Sequence, residues 1–225
     1  MRVAVVIPVL NEAASIARTL LRLRQAGVWQ SIVVDGGSDD DTVSLARLHA
    51  DVVLFSPRGR ARQMNAGGYV AEGEVLLFLH ADTALPQGFL HLISGALADP
   101  QIVGGRFDVR LDAEGWPFRM VETLMNVRSR ITKISTGDQA IFVRREVFQK
   151  MGGYPELELM EDVEFSCRLK REGRIACLRE RVTTSARRWQ RDGVARTIVK
   201  MWILRLCHFL GVSTSRLRTH YADTR

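Results

Sequence analysis

"LLFLHADT", residues 76–83, is the stretch on which the reading of this chain turns. Four apolar residues run into His80, Ala81 and Asp82, so a buried strand delivers two potential ligands at its end. Upstream the same rhythm recurs. "RVAVVIPVL" (2–10), "SIVVDGG" (31–37) and "DVVLFSP" (51–57) read as strands. Between them "EAASIARTLLRLRQAG" (12–27), "DDDTVSLARLHA" (39–50) and "GRARQMNAGGYVAEG" (59–73) carry helical periodicity or a loop leading into a helix. With "EVLLFLHAD" (74–82) as a fourth strand, the alternation predicts an α/β fold, a mainly parallel central sheet with helices on both faces. Right-handed crossovers then put every strand's C-terminal end on one edge, where such sheets bind ligands.

The second half is less regular. It reads as a helix over 84–100, a strand "IVGGRFDVRL" and a helix "WPFRMVETLMNVRSRI". Then come strand, short helix and turn in "GDQAIFVRREVFQKMGGYP", a helix "MEDVEFSCRLKREG" and a strand around "RIACLRE". "VARTIVKMWILRLCHFLGV" closes the pattern as an amphipathic helix. No repeat, low-complexity tract or linker divides the chain. One domain is expected over 1–225, with a ligand-binding half (1–100), a second half (101–190) and a C-terminal helix and basic tail (191–225).

Composition bounds the class. At 225 residues, 46% hydrophobic and 25% charged, the chain is ordinary globular material with room for a real core. No apolar run approaches the ~20 residues of a membrane span. The opening "MRVAVVIPVLNEAA" reads as a first strand and its loop, since Pro8 and Asn11-Glu12 interrupt it too early for an export signal. Cys167, Cys177 and Cys207 have no paired spacing, so a reduced, cytoplasmic setting is expected, with neither zinc site nor disulfide framework. The net charge of +7 is unevenly placed: from Arg168 onward fifteen Lys/Arg stand against four Asp/Glu, leaving the first 167 residues net negative. A basic end suits anionic partners.

The strand ends carry the chemistry. A glycine-rich phosphate loop is absent after the first strand, which argues against dinucleotide oxidoreductases and P-loop enzymes. "IPVLNE" stands there instead, with Pro8 fixing the backbone and Asn11 and Glu12 entering the cleft. Asp35 precedes Gly36-Gly37, which suits close approach of a flat ligand, and reads equally as a turn residue. Arg58, Arg60 and Arg62 precede a helix, a setting for a diphosphate or for a solvated basic loop. Asp82 is a hard oxygen ligand suited to Mg2+ or Mn2+, and in an extended chain His80 shares its side. Glu161 and Asp162 open a helix, where acidic residues are common for dipole reasons.

In order along the chain, "IPVLNEAASI", "VVDGGSDDDT", the Arg loop with Asn65-Ala66-Gly67, "LLFLHADT", "VRREVFQKMGGYPE" and "MEDVEFSCRLKREG" resemble glycosyltransferase family 2 over roughly residues 1–180. "GRARQMNAGG", "TGDQAIFVRRE" and "SARRWQRDG" look like a short stand-alone bacterial subgroup, the radical-SAM/selenodomain-associated transferases. The resemblance implies a GT-A fold, a nucleotide-sugar donor (a UDP-sugar favoured), Mn2+ or Mg2+, and inversion at the anomeric carbon. It assigns Pro8, Glu12 and Asp35 to the nucleoside pocket, Arg60, Arg62 and Asn65 to the donor phosphates, and Asp82 with His80 to the metal and ribose. Asp162 takes the place of the catalytic base, with Glu161 beside it. Two positions depart from the family pattern: His80 replaces the first Asp of Asp-x-Asp, and Gly36 the second Asp of Asp-Asp-Gly-Ser.

The Gln-x-x-Arg-Trp motif of processive synthases survives only as Arg188-Trp189, with Ser185 in the Gln position. The expected reaction is therefore a single transfer to a small or lipid-linked acceptor, with Asp138, Gln139 and Trp189 as acceptor-side candidates. A catalytically degenerate nucleotide- or sugar-binding protein of the same fold is the alternative. A nucleotidyltransferase would need a glycine-rich Arg loop that "PVLNEAAS" lacks. In the C-terminal helix Trp202, Leu206 and Phe209 recur at helical spacing beside Lys200 and Arg205. Packing on the core or on a second subunit, as in a homodimer, is the first reading, and contact with the inner face of a membrane the second. No nucleic-acid partner is expected, because no binding motif accompanies the basic residues.

Overall fold

A computed structural model of the protein describes residues 1–210 and Val212, without the side chains of His208 and Phe209. Phe209 as a face residue and the basic tail over 213–225 lie outside the described residues. In chain order the elements are β1 (Val3–Val9), α1 (Ala13–Gln25), β2 (Gln30–Asp35), α2 (Thr42–His49), β3 (Val52–Phe55), α3 (Arg60–Val70), β4 (Val75–Phe78) and α4 (Phe89–Ala96). There follow β5 (Ile102–Leu111), α5 (Trp116–Thr132), β6 (Phe142–Arg144), α6 (Arg145–Lys150), α7 (Glu161–Glu172), β7 (Arg174–Thr184), α8 (Arg187–Asp192) and α9 (Val194–Phe209).

The seven strands form one sheet in the order β3-β2-β1-β4-β6-β5-β7. Neighbours pair in parallel except β6, which runs against both β4 and β5. The order reverses at β1, where β2 lies on one side and β4 on the other. This is the switch point at which strand ends diverge and open a crevice.

Strand alternation sorts the core into two layers. Val3, Val5, Ile7 and Val9 of β1 pack with Ile16, Leu20 and Leu23 of α1 and with Phe89 and Ile93 of α4. Ala4 and Val6 pack on the opposite face with Ala61 and Met64 of α3, Phe148 of α6 and Phe165 of α7. Gly67 and Gly68 let α3 lie close against this second layer. A Cβ on Gly68 would stand 2.6 Å from Phe148 Cζ, and Phe148 is fully buried. Gly68→Ala is expected to destabilise the fold by about 1–3 kcal/mol through overpacking, read as a lower urea midpoint.

Four elements differ from the sequence reading. The helix expected over 84–100 is the shorter α4, and Ala84 bridges Thr183 of β7 instead. β4 ends at Phe78. Leu79 still donates its N–H to Val6 O (3.0 Å), but Thr83 N–H then donates to His80 O (3.1 Å), so residues 80–83 form a turn. His80 and Asp82 are therefore not set on one side by extended-strand alternation. β7 runs on to Thr184, held by its long pairing with β5. α8 was not anticipated, because six residues are too few to show a helical period.

Candidate functional site

The crevice at the C-terminal edge is walled by Pro8 near the end of β1 and Glu12 after it, by Arg58, Arg60 and Arg62 before and within α3, and by Arg188 of α8. Gln63 of α3 ties its floor together: its side-chain amide donates to Val9 O (2.8 Å) and to Val34 O (2.9 Å), joining the ends of β1 and β2. Gly36 makes this possible, because a Cβ there would stand 3.0 Å from the Gln63 side chain. The position that departs from the family pattern is thus filled by Gln63.

The arginine loop is an electrostatic oddity. α3 starts at Arg60, has Arg62 in its first turn and carries no acidic residue there. Cations at the positive end of a helix dipole are disfavoured until an anion neutralises both. Gly59, at φ +144°, turns the chain into this helix in a conformation that side chains strain to adopt. Arg62 meets Glu156 across the cleft at 3.4 Å, with both side chains more than half exposed, so a ligand can replace that pair at little cost.

Asp35 is buried, and its carboxylate accepts the N–H groups of Gly37 (2.8 Å) and Ser38 (3.0 Å). It holds its own loop as an Asx turn. Asn65, expected beside the donor phosphates, has a different position. Its amide donates to Tyr154 O (2.9 Å) and accepts from Tyr154 N (2.7 Å), pinning the Gly152-Gly153 turn, and it is not among the residues lining the crevice.

Arg187, the first residue of α8, was not singled out from the sequence. Its Nη2 lies 3.0 Å from Asp82 Oδ2 and 3.3 Å from Glu12 Oε2. The Asp82 hydrogen bond in turn holds the guanidinium above its usual pKa. One exposed cation therefore bridges two nearly buried carboxylates. These two oxygens' groups suit a Mg2+ or Mn2+ ion that completes its shell with substrate phosphates. An all-protein cage is not formed: no group of three His, Cys, Asp or Glu gathers among the described residues. His80 is turned elsewhere. Its Nδ1 is 3.2 Å from Asp138 Oδ1, and Gly137 lies against its Nε2 edge, where a Cβ would stand 2.7 Å away.

Residues 137–139 also reach the α7 carboxylates. Gly137 N–H donates to Asp162 Oδ2 (2.8 Å) and Val163 N–H to Asp162 Oδ1 (2.7 Å). Glu161 is buried and lines the crevice. The preceding Met160 is left-handed at φ +66°, as are Asn11 and Ala140 at the other edges of the site. Such conformations cost about 1–3 kcal/mol each and collect at functional sites. Burial and the charges of Arg205 and Arg106 pull Arg128 down to about 10, with Asp162 opposing them, so it stays a cation at neutral pH. Arg205 is lowered by burial, again against Asp162. The negative charge of Asp162 thus bears on both guanidinium groups. Tyr154, buried and stacked on Phe165 at 3.9 Å, is raised well above its usual pKa by burial and by the negative charges of Asp162 and Glu161.

Two acceptor-side candidates have partners within the fold. Gln139 is fully buried; it donates to Ser129 Oγ (2.9 Å) and accepts from Thr136 N (3.2 Å). Trp189 packs into a small cluster with Val121 and Phe118 of α5 and Ile198 of α9. Asp138 remains at the rim beside His80, its side chain about one-third exposed (36%).

Comparison with known proteins follows the same geometry. The model of the glycosyl transferase family 2 matches residues 4–152. An uncharacterized glycosyltransferase of Mycobacterium tuberculosis (strain ATCC 25618 / H37Rv) is 32% identical over 173 residues, covering 70% of this chain and 77% of that protein. The undecaprenyl-phosphate 4-deoxy-4-formamido-L-arabinose transferase of Pseudomonas paraeruginosa is 27% identical over 165 residues, 66% of this chain and 49% of its own length. Residues 1–349 of TarS from S. aureus, solved in complex with UDP-GlcNAc, superpose with a TM-score of 0.66 at 20% identity, over 82% of this chain and 58% of that one. The chain thus spans about half the length of two of these three. The α/β sheet with its single reversed strand is the GT-A arrangement, and the chain belongs to glycosyl transferase family 2 as a glycosyltransferase.

Proposed function

We propose that the protein moves one sugar from a UDP-sugar to a hydroxyl of a small or lipid-linked acceptor, in one displacement that inverts the anomeric carbon. The observation that carries this reading is the juxtaposition in one crevice of an arginine cluster at a helix N-terminus with Glu161, the first residue of α7, which Asp162 follows in the same turn. In this reading the nucleoside lies over Pro8 and the Asp35 loop. Arg58, Arg60, Arg62 and Arg188 take the diphosphate, whose charge grows as the bond to the sugar breaks. Asp162 accepts the acceptor's proton as the new bond forms, because a sugar or lipid hydroxyl is too weak an acid to ionise by itself. Fixing both substrates on one rigid edge supplies the proximity term. Glu12 and Asp82 would hold Mg2+ or Mn2+, which would add positive charge at the leaving diphosphate. Arg187 would then turn from the carboxylates to the phosphates.

The UDP preference is supported by the UDP-GlcNAc complex of TarS, and the lipid-linked acceptor by the relative named for undecaprenyl phosphate. The stretches "GRARQMNAGG" and "SARRWQRDG" favour a place with the short stand-alone transferases they resemble. A thermal-shift panel of UDP, GDP, CDP and dTDP with Mn2+ tests the donor class. UDP is expected to give the largest rise by linkage. A larger rise with another nucleotide overturns the UDP assignment, and no rise with any favours a degenerate binding protein.

A further inference from the structure

α5 is amphipathic the wrong way round for a helix on a water-facing surface. Its inward face is largely polar: Glu122, Asn126 and Ser129 are buried there beside Val121. Asn126 imitates a neighbouring strand, donating to Val109 O (3.0 Å) and accepting from Val109 N (2.8 Å), while Glu122 accepts from Leu111 N (2.7 Å). Its outward face is apolar. Trp116, Met120, Leu124, Val127 and Ile131 recur every three or four residues, from 39% exposed at Met120 to 77% at Ile131. Ordinary surface helices arrange the two faces in the opposite sense.

The neighbouring helix does the same. α9 turns Thr197 and Leu204 inward and leaves Val199, Trp202, Ile203 and Leu206 exposed, with Leu210 exposed just past its end. The two helices share a cluster in which Phe118 and Met125 of α5 meet Val194 and Ile198 of α9. Large apolar side chains exposed along two neighbouring helices mark an interaction surface.

We infer that the outward faces of α5 and α9 together seat on an anionic lipid surface. Charge selects this occupant. Within the two helices the acidic side chain is Glu122 alone, which is buried, whereas Arg196 and Lys200 of α9 and Lys133 at the end of α5 carry positive charge, against Asp112 and Glu114 before α5 and Asp192 before α9. A second copy docking by two-fold symmetry would bring those cations against their own kind; lipid phosphates complement them. Trp116 and Trp202 are the residue type enriched at membrane–water boundaries. No described helix is long and apolar enough to cross a bilayer, so the helices lie on it. The seat also adjoins the site: Leu204 of α9 packs on Met160, the strained residue before Glu161 and Asp162. The inference rests on the transfer reading only for its purpose, which is to bring a lipid-linked acceptor to that edge.

The test is co-sedimentation of the full chain with vesicles of phosphatidylcholine, alone or mixed with phosphatidylglycerol. The protein is expected to pellet with the mixed vesicles and about tenfold less with the neutral ones, and to be released by salt. The double variants Leu124→Glu/Ile131→Glu and Trp202→Glu/Leu206→Glu are each expected to lose about tenfold in partitioning, with the circular dichroism and UDP thermal shift of the parent. Trp202→Gln and Ile131→Gln repeat the test without added charge. Failure to pellet with anionic vesicles overturns the inference, as does pelleting that both double variants leave unchanged. A dimer by light scattering that the variants split, with no vesicle retention, assigns the face to a second copy instead. A missing UDP shift in the parent would count against the transfer reading alone.

Discussion

Asp162→Asn is expected to lower turnover by about 10²–10⁴-fold, the range of general base catalysis, while nucleotide binding persists. The expectation rests on how the carboxylate is held. Gly137 and Val163 each direct an N–H at one of its oxygens, and the guanidinium groups of Arg128 and Arg205 stand nearby. The group is fixed in direction by the start of α7 and by the 137–139 turn, so little motion is needed to meet an acceptor hydroxyl. An asparagine keeps the size but cannot take a proton, and its amide must turn an N–H toward one of the two backbone donors. The local cost should stay near the 0.3–1 kcal/mol of a helix-terminal charge, so the melting temperature falls by no more than about 4 °C. UDP release from the donor, with and without acceptor, measures the effect. If Asp162→Asn keeps its turnover and Glu161→Gln loses it, the base is Glu161, which shares the helix start and lines the crevice.

The parallel half of the fold was legible because its strands are apolar and its helices periodic, and the β5 range was read to the residue from "IVGGRFDVRL". What escaped was set by tertiary contacts. The end of β4 looked extended because Leu79 continues the apolar run, yet Thr83 closes a turn onto His80 that only the neighbouring 137–139 loop explains. The amides of Asn65 and Gln139 bond to Tyr154 and to Thr136 and Ser129; a sequence does not reveal whether an amide is satisfied within the fold or by ligand. Arg187 was overshadowed by Arg188, since adjacent arginines are indistinguishable until a short helix sends one to Asp82 and the other to the crevice. The sequence reading of α5 as a helix left open which of its faces lies inside. Periodicity shows that a helix has a face, but here Asn126 and Glu122 occupy the inside.

Asp82→Asn is expected to abolish the metal-dependent part of nucleotide binding. In the parent, UDP at a hundred times its Kd with Mn2+ should stabilise the fold by about 2.7 kcal/mol. That corresponds to a rise of roughly 5–11 °C for a chain of this length. Asp82 and Glu12 are nearly buried, with side chains 11% and 7% exposed, and the cation between them is Arg187, itself 59% exposed. Two desolvated carboxylates in proximity require a counter-charge, but an exposed arginine holds them weakly and exchanges readily. A divalent ion bound with the donor diphosphate satisfies the same oxygens with twice the charge. Arg187→Gln removes the competitor and should therefore raise Mn2+ affinity in the absence of nucleotide, read by electron paramagnetic resonance. Asp82→Asn should lower it, leaving the same UDP shift with and without Mn2+. Should Arg187→Gln weaken UDP binding while Mn2+ changes nothing in either protein, the guanidinium is itself the diphosphate's partner and the carboxylates serve only to hold it in place.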